Sequence, residues 1–214
     1  MPAARPLRAP KPARSYHHGN LRAALIEAGL KLIEEKGVRA LTLREIGNRL
    51  NVSRMAPYRH FSDKSELLAA ICEAGFSQFA DALEQARDTA EPNFASRLQA
   101  MGVAYVRFAS EHKAHFEAMF GPGADATVKS ARKGESGQRA FRILEETLRE
   151  GQMFGEVRSG DSVQLARIAW SLVHGISMLE LEPFNAGAEP EFTVLASKVL
   201  IAGLRPGIKP HDKH

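Results

Sequence analysis

The sequence predicts an all-α protein, with a three-helix N-terminal unit joined by a long helix to a helical body. Three observations carry this reading. Apolar residues recur at helical spacing along most of the chain, and no alternating β-branched run of strand type interrupts them. Two capping boxes, Thr42-Leu-Arg-Glu45 and Asp63-Lys-Ser-Glu66, announce helix starts. Glycine and proline clusters at 121–123, 151–160 and 183–190 separate the remaining periodic segments.

The elements follow in order. Residues 1–15 hold four prolines and the cations Arg5, Arg8, Lys11 and Arg14 without helical periodicity, and read as a flexible basic arm. Leu21, Leu25, Ala28 and Leu32 form the apolar stripe of a first helix, and Gly37 stands where a C-terminal glycine ends one. Thr42 opens a short second helix carrying Leu43, Ile46 and Leu50. Asn51 tolerates the left-handed turn that follows. Ser53 is placed to cap a third helix of two turns ending near His60–Phe61, in which Pro57 removes an N–H that would bond the Ser53 carbonyl. Asp63 opens a long helix through Leu67, Leu68, Ile71, Phe76, Phe79 and Leu83, and Pro92 ends that run. Further helices are predicted at about 93–110, 112–120, 135–153, 161–182 and 190–203.

Composition narrows the function. With 44% apolar and 25% charged residues the chain has ordinary soluble composition, and at 214 residues it needs no disulfide to stay folded. The single cysteine, Cys72, excludes a disulfide framework and a CxxC metal or redox site. The longest apolar run, Ile168 to Leu179, contains His174 and falls well short of the roughly 20 residues a membrane helix needs. No membrane partner, no signal peptide and a cytoplasmic location are therefore expected. Residues 1–60 carry 12 lysines and arginines against 4 acidic residues, whereas the rest carries 17 against 21. A basic first quarter on an acidic body suits a polyanion at one end, although a solvated charge run would show the same counts.

Residues 42–61 carry the most specific pattern. Two short helices around a three-residue turn, the second arginine-bearing, form the layout of a helix-turn-helix. The first helix braces on the phosphate backbone, and the second must fit a major groove about 12 Å wide. Gly47 lets the two approach closely, with Ile46, Leu50 and Val52 as the seam between them. Arg54, Met55 and Ala56 lie at the leading end of the second helix. Arg54 suits a bidentate guanine contact, and Met55 or Ala56 a thymine methyl. Arg44 and Arg59 are candidates for phosphate.

The stretch from Tyr16 to Gly75 resembles the DNA-binding domain of TetR-type (tetracycline-repressor-like) transcriptional regulators. TLREI, NVS, YRHF and DKSELL are the matching strings. Gly47 stands where alanine is usual and Asn51 where glycine is usual, while Ala56-Pro57-Tyr58 looks like a variant of one subgroup. The resemblance implies that Thr42, Tyr58, His60 and Lys64 contact phosphates. Domains are thus expected at 16–75, for DNA binding, and at 76–207, for effector binding and dimerisation, with a tail at 208–214.

In the body, residues 165–181 form a segment apolar nearly all round, which calls for a partner chain or a cavity besides the core. Trp170-Ser-Leu-Val-His174-Gly175 resembles the WHG C-terminal domain of a TetR subgroup, as do HFEAMFG and LIAGLRP. The resemblance implies a homodimer formed by the last two helices, through Leu165, Leu172, Leu179, Leu195, Val199 and Leu200. It also implies a small-molecule effector inside the body, near Phe108, Phe116, Met119, Phe120, Phe141, Trp170, His174 and Met178. Side chains of these types at helical spacing are more often plain core, and His174 suits a ligand or a backbone carbonyl. His112 and His115 lack a third ligand, so no metal site is expected, and no cofactor.

The function expected is a regulator, typically a repressor, released from a palindromic double-stranded DNA operator by its effector. The alternatives are a ligand-independent DNA-binding protein or an enzyme with no recognisable motif. No catalytic motif is found: no G-x-S-x-G, H-E-x-x-H, phosphate-binding glycine loop or dinucleotide fingerprint.

Overall fold

The computed structural model describes residues 20–121, 134–181 and 190–207. Among these, the chain forms α1 (Leu21–Lys36), α2 (Leu43–Arg49), α3 (Lys64–Thr89), α4 (Phe94–Glu111), α5 (Lys113–Phe120), α6 (Glu135–Met153), α7 (Ser162–Glu180) and α8 (Pro190–Leu204). Short 3-10 turns occupy Val38–Ala40 and Pro57–Arg59, and no strand occurs among the described residues. The basic arm, the tail and most of the loops at 121–123 and 183–190 lie outside the described residues.

Local chemistry sets the ends of the first helices. Asn20 Oδ1 accepts the Ala23 N–H at 3.3 Å to open α1. Gly37, at φ +76°, closes it by donating its N–H to the Ile33 carbonyl at 2.7 Å. Thr42 Oγ1 accepts the Glu45 N–H at 3.2 Å. The return half of that box is not made. Glu45 turns instead to Arg49, 3.6 Å away, and Lys36, 3.9 Å away, because those cations offer its carboxylate a charged partner. The second box closes with a one-residue offset: Asp63 accepts from Glu66 N at 2.9 Å, and Glu66 Oε2 accepts from Ser62 N at 2.6 Å.

The expected third helix is not an α-helix. Residues 54–60 form a run of turns around the 3-10 turn at Pro57–Arg59, without a side-chain cap from Ser53. Proline supplies the reason. With no N–H at residue 57, the Ser53 carbonyl accepts from Ala56 N at 2.9 Å, which tightens the segment to i→i+3 spacing.

One hydrophobic core runs from the N-terminal unit into the body. Leu25, Leu32, Leu41, Ile46, Leu67 and Ile71 close the first part, each fully buried. The expected domain boundary at 75/76 falls inside α3, whose Phe76, Phe79 and Leu83 continue into the body's core. A second tie comes from α5. Glu117 Oε1 accepts the Val38 N–H at 3.0 Å, across 79 residues of sequence, and Cys72 Sγ donates to the Ala118 carbonyl at 3.3 Å. The head is thus held by both α3 and α5.

Candidate nucleic-acid interface

Asn51 takes φ +52°, and Val52 N donates to the Gly47 carbonyl at 3.1 Å, turning the chain out of α2. Gly47 is buried against Pro57, and a Cβ placed on residue 47 would lie 3.0 Å from Pro57 Cγ. The glycine at 47 and the proline at 57 are therefore one feature. The proline ring occupies the space that an alanine at 47 would crowd. Arg49 joins the frame rather than the surface, holding Glu35 of α1 through two bonds of 2.9 and 2.7 Å.

On this frame Thr42, Arg44, Arg54, Met55, Tyr58, Arg59 and His60 are all exposed. Met55 is 62% and Tyr58 45% exposed, so neither is part of the head's core. Ala56 and Lys64 are half-buried, and Lys64 Nζ donates to the Arg39 carbonyl at 3.4 Å. Arg22 of α1 stacks on the ring of Phe61, 5.1 Å from its centroid, which sets α1's first turn beside the end of this segment.

The body presents a second, chemically opposite surface. Ile168 and Leu179 on α7 and Phe192, Leu195 and Val199 on α8 are at least half exposed, while the polar Thr193 and Ser197 of α8 face inward. Ser197 satisfies its hydroxyl on the Thr193 carbonyl at 2.8 Å. Of the residues expected at a dimer interface, Leu179, Leu195 and Val199 are exposed. Leu165, Leu172 and Leu200 are half-buried and pack against the core, with Leu200 lining an internal cavity. Ile168 and Phe192 extend this exposed apolar set beyond the residues singled out from the sequence.

Several of the residues expected around an effector join an aromatic cluster with Phe79 and Tyr105. Phe79, Tyr105, Phe116, Phe120, Phe141 and Trp170 meet ring to ring at centroid distances of 4.8 to 6.4 Å. Phe108, Phe116 and Met119 are fully enclosed, and Met178 is half-buried against the core. The cavity measures about 30 Å³ and is lined by Leu83, Leu98, Met101, Tyr105, Trp170 and Val173 among others. Trp170 alone of the eight expected residues reaches it. His174 Nδ1 bonds the Tyr105 hydroxyl at 2.9 Å. His112 and His115 stand ring to ring at 6.2 Å, and no group of three metal-ligating side chains occurs among the described residues. Burial, together with the neighbouring His112, holds the His115 pKa below its ordinary value.

A helix-turn-helix head with exposed cations, carried on an all-helical body with an uncovered apolar face, is the class of protein this geometry defines. The model described as "Bacterial regulatory proteins, tetR family" matches residues 25–71, and "Tetracyclin repressor-like, C-terminal domain" matches residues 98–196. The chain belongs to the TetR family. It is 43% identical to the tetracycline repressor protein class G of Vibrio anguillarum over 53 residues, 25% of this chain and 25% of that protein. The match thus spans about a quarter of the length of such curated relatives. A protein of unknown function from Rhodococcus sp. RHA1 is 33% identical, with a TM-score of 0.75 over 89% of this chain and 98% of that one. A tetR-family regulatory protein from Rhodococcus RHA1, 20% identical, shares the fold at a TM-score of 0.69 over 87% and 97%.

Proposed function

We propose that this chain is a homodimeric, sequence-specific DNA-binding regulator that represses transcription from a palindromic operator and is released by a small molecule. The observation that carries the reading is the exposed set Arg54, Met55, Tyr58, Arg59 and His60 on a frame locked by the Gly47–Pro57 contact. Arg54 reads guanine, Met55 and Ala56 meet thymine methyls, and Thr42, Arg44, Tyr58, Arg59, His60 and Lys64 hold phosphates. The head at 16–75 reads, and the body at 76–207 senses and dimerises.

Pairing of α7 and α8 with those of a second copy covers the apolar stripe and sets two heads on half-sites about 34–36 Å apart or a multiple. No helix among the described residues is long and apolar enough to cross a membrane, which fits a cytoplasmic regulator. We assign the chain no catalytic role. The test is selection of genomic fragments by the purified chain, repeated with Arg54→Ala. A palindrome recovered by the parent and relaxed in the variant supports the reading; no enrichment at low salt overturns it.

The effector, in this reading, is uncharged and apolar, because no charged side chain among the described residues lines the cavity and Tyr105 and Ser197 already have partners. Since pockets for such ligands run to about 300 Å³ or more, it must open the core as it enters. The near-closed core favours a second reading, a regulator that binds DNA without an effector. Trp170, the only tryptophan, reports on the choice: quenching by neutral compounds that also release DNA supports the first, and silence across such a panel supports the second.

A further inference from the structure

A second cavity lies at the end of the body far from the head. The helix α3 leaves the head at Lys64 and ends at Thr89, 26 residues or about 39 Å later. Just beyond that end, the start of α4 and the end of α6 enclose a space of about 230 Å³. It shares no described lining residue with the small core cavity. Lying below the roughly 300 Å³ from which drug-sized sites run, it suits a smaller metabolite.

Local chemistry builds its walls. Phe94 and Arg97, three apart, share one face of α4's first turn, and Glu150 and Phe154, four apart, share a face at the end of α6. A Cβ on residue 151 would lie 2.6 Å from Val157 Cγ2 and 2.9 Å from Phe94 Cδ2, so glycine lets the two helix ends close on each other. The Gly151 carbonyl accepts the Glu156 and Val157 N–H groups at 2.8 and 3.0 Å, which folds the chain back. Glu156 Oε2 then takes the Phe94 N–H at 2.8 Å, one of the amides that a helix start leaves without an internal partner.

The lining carries both signs of charge. Arg97 donates from Nη1 to Glu150 Oε2 at 3.1 Å, while its Nε is buried without a hydrogen-bond acceptor among the described residues. A buried N–H in that state calls for an acceptor. Glu150 and Glu156 are exposed, and neither Oε1 is engaged by a described residue. Two carboxylates repel a plain anion, and the guanidinium repels a plain cation. A zwitterion satisfies both. Phe94 and Phe154, the latter 78% exposed, add apolar wall beside these groups.

We propose that this cavity binds a free α-amino acid with an apolar side chain. Arg97 takes its carboxylate, Glu150 and Glu156 its ammonium, and Phe94 and Phe154 its side chain. The site uses no residue of the head, so it stands apart from the DNA-binding reading.

The test is titration calorimetry on the full chain with leucine, leucinamide and N-acetyl-leucine. Leucine should bind, and removing either of its charges should weaken binding about tenfold or more, since hydrogen bonds between charged groups are the strong ones. Glu156→Gln keeps an acceptor for the Phe94 N–H and removes one charge. It should weaken leucine about tenfold and narrow the gap to N-acetyl-leucine. Arg97→Gln should narrow the gap to leucinamide. Phe154→Ala, at an exposed position, should weaken phenylalanine more than alanine.

Either derivative binding as tightly as leucine would overturn the proposal in favour of a site for a plain cation or a plain anion. Equal leucine and phenylalanine affinities in the parent, Glu156→Gln and Phe154→Ala would place the ligand elsewhere and overturn it, even if Arg97→Gln failed to fold. No heat from leucine or phenylalanine at millimolar concentration would overturn it outright. No DNA enters the assay, so a head that reads no operator leaves each of these outcomes unchanged.

Discussion

The head and the body leave opposite kinds of side chain in water. In the head, Leu25, Leu32, Leu41, Ile46, Phe61 and Leu67 are consumed by a closed core, and what remains outside is chiefly cationic or polar. In the body, α7 and α8 expose Ile168, Leu179, Phe192, Leu195 and Val199 although the core beside them is well filled. Exposed polar groups on a rigid frame suit a hydrated polyanion, whose contacts are charge-assisted and wet. An apolar stripe running along two adjacent helices suits a protein surface, because only burial removes its cost in water. The difference assigns the two ends different partners before any ligand is considered.

The largest effect is expected from reversing the body's side of that comparison. Leu195→Glu with Val199→Glu should leave a folded monomer by sedimentation equilibrium and lower operator affinity about a hundredfold or more, since one head contributes half the contacts. A parent chain that already sediments as a monomer would show that the stripe is covered in some other way. On the head's side, Arg54→Ala should cost about 1–3 kcal/mol of discrimination at one base position in each half-site. Arg59→Ala should weaken binding evenly across sequences and reduce the salt slope by about 1. Competition binding with single-base operator variants separates the two behaviours.

Gly47→Ala should lower stability by about 1–3 kcal/mol, because the new methyl meets Pro57 Cγ inside a buried seam. In a Pro57→Ala background the same change should be neutral or stabilising by up to about 1 kcal/mol, as helix propensity then dominates. Denaturant midpoints of the four chains in that cycle give the coupling, and additivity would refute the pairing. The smallest effect is a pH dependence at His115. Its folded pKa is depressed by burial and by His112, so the unfolded chain takes up its proton first, near pH ~6.5. Its contribution to stability is complete above that value and is lost as pH falls from there through the folded pKa. His115→Gln should flatten the acid limb of the urea midpoint, and an unchanged limb would point to other groups.

Much of this protein was legible from spacing. The body helices lie within one or two residues of their expected limits, and the caps at Thr42 and Asp63 operate as side-chain hydrogen bonds. Asn51 takes the left-handed turn its residue type suggested. The residues expected around an effector lie differently from the cavity. Phe108, Phe116 and Met119 are core, and the cavity is lined instead by Leu83, Leu98, Met101 and Val173, which periodicity marks only as inward-facing.

The physical reason divides the two kinds of result. Helix starts, stops and apolar faces depend on residues within about four positions of each other, and the amino-acid sequence alone determined them here, along with the charge contrast between the head and the body. The Gly47–Pro57 contact, the Tyr105–His174 bond, Glu117 on Val38 and the outward turn of Leu195 against inward Ser197 join elements distant in sequence. Only tertiary packing decided those, because which inward face meets which neighbour depends on how whole helices cross.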